Sequence, residues 1–385
     1  MLRSLSDTSV YVHFPYCARK CPYCDFASYR VEQIPHEAYA DAVLRELELR
    51  APSLDGRRLS SVFFGGGTPS LWSAPQLGRV VSAIRAAFPE QVDELEISAE
   101  CNPASLDDEV AAGLREAGVN RVSVGVQSLN DERLAYLGRL HDAQGALASL
   151  RAARAHFDRV SGDLIFGSPG QNVDDVRREV DALLELGLDH LSAYALTIEP
   201  GTRFGELFRL GKLEVSPDET YAALFAAIEV RLEQAGFRHY EVSNYARPGQ
   251  ESRHNQHYWR GGAYLGLGAA AVGCLESGPG SARRWRNQPL PERYLAEVAG
   301  PEREESEEHL GPEEILEEAL MLGLRTADGV DLEAAQRRAG VDPRAGREAR
   351  IARHVATGSL LDEGGRLRVP RERWIVLDGI VADLF

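Results

Sequence analysis

The sequence predicts an α/β protein: a partial (β/α)6 TIM-like barrel followed by a small C-terminal domain that is helical and winged-helix-like. Three observations carry this. Short β-rich apolar runs alternate with amphipathic stretches of helical period from residue 9 to about residue 240. Several of those stretches end in glycine, with a strand beginning a few residues on. Beyond residue 300 the pattern changes to helices and one short hairpin.

The expected strands are SVYVHF (9–14), SVFFG (61–65), ELEISAE (94–100), RVSVGVQ (121–127), VSGDLIFG (160–167) and HLSAYAL (190–196). Helical stretches such as HEAYADAVLRELELR (36–50) and VDDVRREVDALLELG (173–187) lie between them. Alternation on this scale marks βα units on a parallel sheet. In REAGVNRVSVGV, LELGLDHLSAYAL and LEQAGFRHYEV, Gly118, Gly187 and Gly236 stand where a helix would stop in the left-handed conformation. Six strands fall short of the eight of a closed TIM barrel, hence a partial barrel. The alternative is an open, doubly wound sheet. The chain divides into a barrel core at 1–240, a connecting segment at 241–300 rich in Gly, Arg, Trp and Tyr, and a C-terminal domain at 301–385. That domain opens on an acidic run, PEREESEEHLGPEE (301–314), read as a solvated linker and helix start. It closes on a hairpin turning at Gly364-Gly365.

The composition is that of a soluble globular chain: 385 residues, 44% hydrophobic and 26% charged. No apolar run approaches the roughly 18–20 residues of a membrane span. The opening MLRSLSDTSVYVHF lacks the apolar stretch of a signal peptide, so the expected location is the cytoplasm. A net charge of −16 repels a phosphate backbone, and residues 301–385 hold 12 Lys/Arg against 19 Asp/Glu. Nucleic acid is therefore not an expected partner, and the C-terminal domain is read as a packing or docking element. Of five cysteines, three fall within eight residues while Cys101 and Cys274 stand alone. In a reducing compartment that cluster points to a metal and not to disulfides.

The cluster reads YVHFPYCARKCPYCDF, with Cys17, Cys21 and Cys24 spaced CxxxCxxC directly after the first strand. Loops at the C-terminal ends of parallel strands are where such folds place their chemistry. Thiolates are soft ligands that select iron–sulfur clusters or zinc. A 4Fe–4S cluster usually takes four cysteines, so three leave one iron for a small molecule. The alternative is a structural zinc completed by His13 or a distant cysteine, although zinc sites usually pair CxxC units across longer spacers.

This motif after the first strand resembles the hallmark of the radical SAM superfamily. The resemblance implies a 4Fe–4S cluster on Cys17, Cys21 and Cys24 with S-adenosylmethionine (SAM) on the open iron. It also implies one-electron cleavage of the SAM C–S bond, and a partial (β/α)6 barrel. Further along, SVFFGGGTPS ends the second strand, and Gly65, Gly66 and Gly67 admit close approach of a ligand, with main-chain amides and carbonyls to offer it. The run resembles the glycine-rich motif of that superfamily, which contacts the methionine part of SAM, and Thr68 and Pro69 complete it. Glu100 in ISAECNP, Gln127 in VSVGVQSLN, Arg139, and Asp163 in VSGDLIFG supply acid, amide and guanidinium groups suited to an amine, hydroxyls and a carboxylate. Together they match SAM-binding positions of the family similar to oxygen-independent coproporphyrinogen III oxidase. Tyr11 and Tyr23 match as well, and Ala195 matches more loosely.

That family has an oxidase branch and a HemW-type haem-chaperone branch, and the resemblance extends over nearly the whole chain, including a HemN-type C-terminal domain. The oxidases carry a fourth cysteine two residues after the third, where this chain has Phe26. They also have a substantial N-terminal arm, where only eight residues precede the strand expected here. Residues 254–259, HNQHYW, match the HNxxYW motif of the chaperone branch. The resemblance thus implies haem as a third cofactor, passed to a haem-acceptor protein, membrane-associated or not, and an electron donor for the cluster. The alternative is oxidative decarboxylation of coproporphyrinogen III, an activity that the radical SAM machinery does not by itself require. Histidine is a standard axial ligand of haem iron. His254 is the first choice, with His257 one helical turn on and, in a helix, on the same face. Tyr258 and Trp259 would pack on the porphyrin, and Arg253 and Arg260 would pair with its propionates.

Overall fold

The computed structural model describes residues 6–385. Residues 1–5, the start of the short N-terminal arm and of the leader-free N-terminus expected above, lie outside the described residues. Six parallel strands form the centre of one large sheet: β1 (Ser6–Phe14), β2 (Arg57–Gly66), β3 (Glu90–Cys101), β4 (Arg121–Gln127), β5 (Arg159–Phe166) and β6 (His190–Ala195). Each pairs with the next in chain order. A doubly wound sheet reverses its order near the middle; this one does not, so every crossover winds the same way. The sheet stays open, which gives the partial barrel.

The 241–300 stretch is built into that sheet. At the β6 edge it completes a hairpin of β7 (Arg238–Glu241) and β8 (Asn244–Ala246). At the other edge β9 (Ala263–Leu267) runs parallel to β1, followed by antiparallel β10 (Val272–Gly278), β11 (Ser281–Asn287) and β12 (Glu304–Leu310). The acidic run expected as a linker thus forms β12, where Arg283 and Arg284 of β11 pair with Glu304, Glu307 and Glu308.

Strand periodicity separates two faces. Val10, Val12 and Phe14 of β1, Val62 and Phe64 of β2, and Val122, Val124 and Val126 of β4 are buried in the main apolar core. The alternate positions, Tyr11 and His13, Phe63, and Arg121 and Ser123, line the lumen. The outer face is covered by helices that include His36–Arg50, Ala74–Ala87, Ala143–His156 and Val173–Glu185. Gly118, Gly187 and Gly236 end helices at φ 98°, 69° and 85°, as their place in the sequence predicts. A buried carboxylate, Glu46, ties the β9–β11 region to the first helix. It accepts from Arg50 at 3.1 Å, Asn287 at 2.8 Å, Tyr294 at 2.8 Å and the Gly268 amide at 2.9 Å.

A second apolar core, with Ile315, Leu316, Leu320, Leu367 and Trp374, holds the C-terminal helices against a small sheet. Its strands are β13 (Val330–Asp331), β14 (Leu361–Glu363) and β15 (Arg366–Arg368), in the order β13-β15-β14. The β14–β15 hairpin turns at Gly364-Gly365, both at positive φ. Main-chain bonds weld this unit to the barrel edge: Val242 N to Arg325 O and Ala327 N to Tyr240 O, each 3.0 Å.

Candidate functional site

At the C-terminal mouth of the barrel lies a cavity of about 390 Å³. It is lined by Cys17, Cys21, Cys24, Tyr23, Gly66, Gly67, Thr68, Glu100, Gln127, Arg139, Asp163 and Ala195. Every expected cluster and SAM residue is therefore brought together except Tyr11, which lies on the lumen side. The Tyr11 hydroxyl bonds His13 Nδ1 at 2.9 Å, and His13 Nε2 bonds Ala27 O at 2.9 Å. Its place is behind the cavity wall, bracing the ring that faces Gly66.

The cysteine loop is fixed by its own backbone. Tyr29 N bonds Pro15 O at 2.7 Å, Cys17 N bonds Tyr29 O at 3.0 Å, and Cys24 N closes a turn on Cys21 O at 3.2 Å. Cys17 Sγ lies 3.3 Å from the Thr68 hydroxyl, and Arg139 Nη1 lies 3.5 Å from Cys21 Sγ. Burial pushes the thiols of Cys17 and Cys24 up. Among the described residues, no three His, Cys, Asp or Glu side chains converge as ligands of a single metal ion. Three soft thiolates carried on one loop at the cavity are the donor set that a 4Fe–4S cluster takes, with one iron left for a small molecule. Phe26, 56% exposed, sits on the lip beside them.

The glycine run works differently from its expected role as a donor of free amides. The Gly66 amide bonds Glu100 Oε2 at 3.2 Å, the Gly67 amide bonds Phe14 O at 2.7 Å, and the Thr68 amide bonds Tyr16 O at 2.9 Å. These amides hold the neighbouring loops, and the missing side chains let the His13 ring and the main chain of Phe14 and Tyr16 pack directly against the run. A Cβ on Gly66, at φ 105°, would run into the His13 ring.

The floor is a pair of buried carboxyls. Burial, with Asp163 nearby, pushes Glu100 up to about 7. Burial also raises Asp163, although Ser123, Ser161 and Ser192 all donate to it at 2.7–3.1 Å. Two polar acceptors in a dry wall await cationic or hydroxyl donors. Opposite them Arg139 reaches Tyr23 OH at 3.4 Å and Gly125 O at 3.1 Å, while its Nε is buried without a partner among the described residues. Gln127 closes β4 at φ 66°, in the left-handed region that a residue with a side chain seldom enters. Cationic, hydroxyl-bearing and carboxylate ends of a SAM-like ligand would all find complements here. Ser123, Tyr194 and Asn102 line the cavity too and were not anticipated. Ser123 was accessible from periodicity, since Arg121, Ser123, Gly125 and Gln127 alternate along one strand.

The HNQHYW segment folds as a short helix, Arg253–Trp259, capped by the Ser252 hydroxyl on Asn255 N. Its side chains part company. His254 is buried and lines a lumen cavity of about 470 Å³ that shares Glu100, Ser123, Asp163 and Tyr194 with the mouth cavity. His254 Nδ1 bonds Ser61 Oγ at 2.8 Å, its ring stacks on Phe63 at 4.9 Å, and its Nε2 has no hydrogen-bond partner among the described residues. Burial holds its pKa down at about 3, so the imidazole is neutral. Tyr258 lines the same cavity. His257 does not: its Nε2 already bonds Ala263 O at 2.7 Å. Trp259 and Arg260 line a different cleft, and Arg253 leaves the site to pair with Glu94.

Residues 11–197 match the radical SAM superfamily, and residues 310–376 match the HemN C-terminal domain. The chain is 37% identical to the heme chaperone HemW of Mycobacterium tuberculosis, over 97% of this chain and 94% of that protein. It is 35% identical to the heme chaperone HemW of Bacillus subtilis, over 84% of each. It is also 40% identical to the mitochondrial radical S-adenosyl methionine domain-containing protein 1 of Bos taurus, over 84% of this chain and 74% of that one. Its fold is that of coproporphyrinogen III oxidase (HemN) from Escherichia coli, with a TM-score of 0.82 at 24% identity, covering all of this chain and 91% of the other. Among the described residues no helix is long and apolar enough to cross a membrane. The superfamily match and relatives aligned along nearly their full length together place the chain in the HemW heme-chaperone family of the radical SAM superfamily.

Proposed function

We propose that this chain is a cytoplasmic haem chaperone that carries a SAM-ligated 4Fe–4S cluster at the barrel mouth and haem on His254, and passes haem to an acceptor protein. Cys17, Cys21 and Cys24 hold the cluster. Tyr23, Gly66, Gly67, Thr68, Glu100, Gln127, Arg139, Asp163 and Ala195 hold SAM, with Tyr11 supporting them from behind. When bound, the cluster and SAM supply one-electron chemistry, for which a separate electron donor is needed. The docking of the acceptor, at a membrane or in solution, falls to the C-terminal domain.

The observation that carries the haem reading is the state of His254. A metal-ligating histidine usually has one ring nitrogen fixed by a hydrogen bond and the other open. His254 has that form, neutral and facing a cavity, with Phe63 and Tyr258 as aromatic neighbours. Among the motif residues His257 is the weaker candidate, because its Nε2 is engaged. Cluster-loaded protein titrated with haem, with and without SAM, tests the reading: haem binds, and His254→Ala weakens it about tenfold or more, the scale of losing one coordinate interaction. Absence of haem binding by the wild-type chain would overturn it. The intact carboxyl floor of the SAM cavity favours a second reading, coproporphyrinogen III oxidation. Protoporphyrinogen formation in an anaerobic assay with SAM and reductant would establish that reading instead.

A further inference from the structure

On the side of the HNQHYW helix away from His254 lies a cleft of about 750 Å³ between the barrel edge and the C-terminal domain, larger than the mouth and lumen cavities. Trp259 and Tyr240 stand in its wall. Six arginines line it: Arg238, Arg260, Arg338, Arg366, Arg368 and Arg371. Against them stand four carboxylic residues, in a chain whose net charge is −16. One of those four, Glu241, takes the Trp259 indole as a donor and is pushed up to about 7 by burial, so its negative charge is weak there.

Three of these guanidiniums are loosely held, while Arg366 pairs with Asp331 at 3.2 Å and Arg371 with Glu233 at 2.6 Å. Arg238 has no carboxylate partner among the described residues, and Arg260 and Arg368 meet theirs only at 3.8 and 3.9 Å. Arg338 is gripped at Nε by Glu276 at 2.8 Å, while its Nη1 is buried without a partner among the described residues. A positive cleft on an acidic protein, with donors to spare and an indole in its wall, selects an anionic aromatic ligand. The one histidine in the lining, His239, bonds Val242 O at 3.2 Å through Nε2 and faces Glu229 at 3.4 Å through Nδ1. It has no nitrogen free for a metal.

We propose that this cleft is a second seat for the tetrapyrrole, one that grips the macrocycle by its ring and its carboxylates and leaves the iron free of protein ligands. The proposal rests on the haem-chaperone reading and extends it. A carrier must give up its cargo, and an acceptor's own axial ligand can capture haem only from a seat where iron is unencumbered. Trp259 belongs to the same seven-residue helix as His254, so one element borders both seats. The cleft is walled by main-chain bonds between the two units, so it exists before any ligand arrives.

The test uses the full chain carrying His254→Ala, with hemin and hemin dimethyl ester as probes; the ester keeps ring and iron but has no free carboxylate. Hemin binds this variant, and the ester binds about tenfold or more weaker, as loss of charge-assisted bonds requires. Adding Arg366→Ala and Arg368→Ala brings hemin down to the level of the ester and leaves the ester unchanged. Ala334→Trp, which fills the cleft without touching a charge, weakens both probes and guards against a folding artefact in the arginine variants. If the wild-type chain binds hemin and the His254→Ala chain does not, the cleft proposal falls and the haem reading stands. If hemin and its ester bind the His254→Ala chain equally, or the arginine changes have no effect, the proposal also falls. Binding of poly-glutamate, and not of hemin, to the His254→Ala chain would assign the cleft to an acidic protein segment and overturn it. A wild-type chain that binds no hemin overturns both.

Discussion

Gly67→Ala would separate the geometry of the cysteine loop from overall stability. A methyl group there lands 2.6 Å from Tyr16 O, 2.8 Å from Phe14 O and 2.9 Å from Tyr16 N. All three are main-chain atoms and cannot rotate aside. Ordinary contact lies near 3.5 Å, so the strand-to-loop junction must retreat by about 0.5–1 Å. That junction ends one residue before Cys17, and the Gly67 amide that ties it to Phe14 O moves as well. Overpacking of this kind costs about 1–3 kcal/mol. Gly170→Ala is the control: at φ 74° with nothing within 4 Å, a methyl costs about 1–2 kcal/mol from backbone strain alone. Both variants are measured for denaturant midpoint, and for iron and sulfide per chain after anaerobic reconstitution. Gly67→Ala loses cluster severalfold while Gly170→Ala retains it at a comparable stability. Full iron content in Gly67→Ala, or equal loss in the control, would refute the claim that this glycine sets the cysteine geometry.

Three further outcomes follow from the buried polar groups. Glu46→Ala removes the anion beneath Arg50 and the acceptor of Asn287, Tyr294 and the Gly268 amide, and should lower stability by about 3 kcal/mol in urea, tempered by the Arg50–Glu304 pair. Glu241 titrates near 7 in the fold against an unfolded value near 4.5, so the native state keeps a proton that the unfolded chain releases; stability should fall as pH rises from about 4.5 to 7, by up to about 3 kcal/mol. Glu241→Gln should flatten that slope, with Asn244 Oδ1, buried without a partner among the described residues, available to the new amide. Finally, Asp163, Ser161, His190, Tyr240 and the Ser252 amide form one hydrogen-bonded chain at 3.1, 2.7, 2.8 and 3.2 Å. A double-mutant cycle of Asp163→Asn and Tyr240→Phe should therefore show non-additivity of about 0.5–3 kcal/mol in the apo protein, and strict additivity would mean that the chain transmits nothing.

The barrel was legible because strand burial has a period of two and helix burial does not. RVSVGVQ shows both faces at once: Val122, Val124 and Val126 go to the helices, while Arg121, Ser123, Gly125 and Gln127 face the other way. The same alternation puts Ser123 on the lumen face, the face that Asp163 of the neighbouring strand also presents. What alternation could not give was the use of each polar group. The amides of Gly66, Gly67 and Thr68 look free in a linear sequence, yet chain segments up to 53 residues away in sequence order occupy them, Phe14 and Tyr16 on one side and Glu100 on the other. The acidic run at 301–314 looked like solvated linker because its basic complement, Arg283 and Arg284, sits on the preceding strand and meets it only after β11 and β12 pair.

HNQHYW is opaque in the sequence for a geometric reason. Its neighbourhood has weak periodicity, so nothing local says that it is helical, and taken as a motif it suggests one surface for one ligand. Once it is a helix, residue spacing decides otherwise. At 3.6 residues per turn, His257 lies about 60° around from His254, and Trp259 about 140° around. Two residues of one motif must then face different spaces, His254 the lumen beneath the mouth cavity and Trp259 the arginine cleft. His257 lies on the opposite side of His254 from Trp259 and is taken by Ala263 O. A motif that is continuous in sequence is thus divided in space, and a helix bordering both cavities is where a cargo carried on one side would be handed to the other.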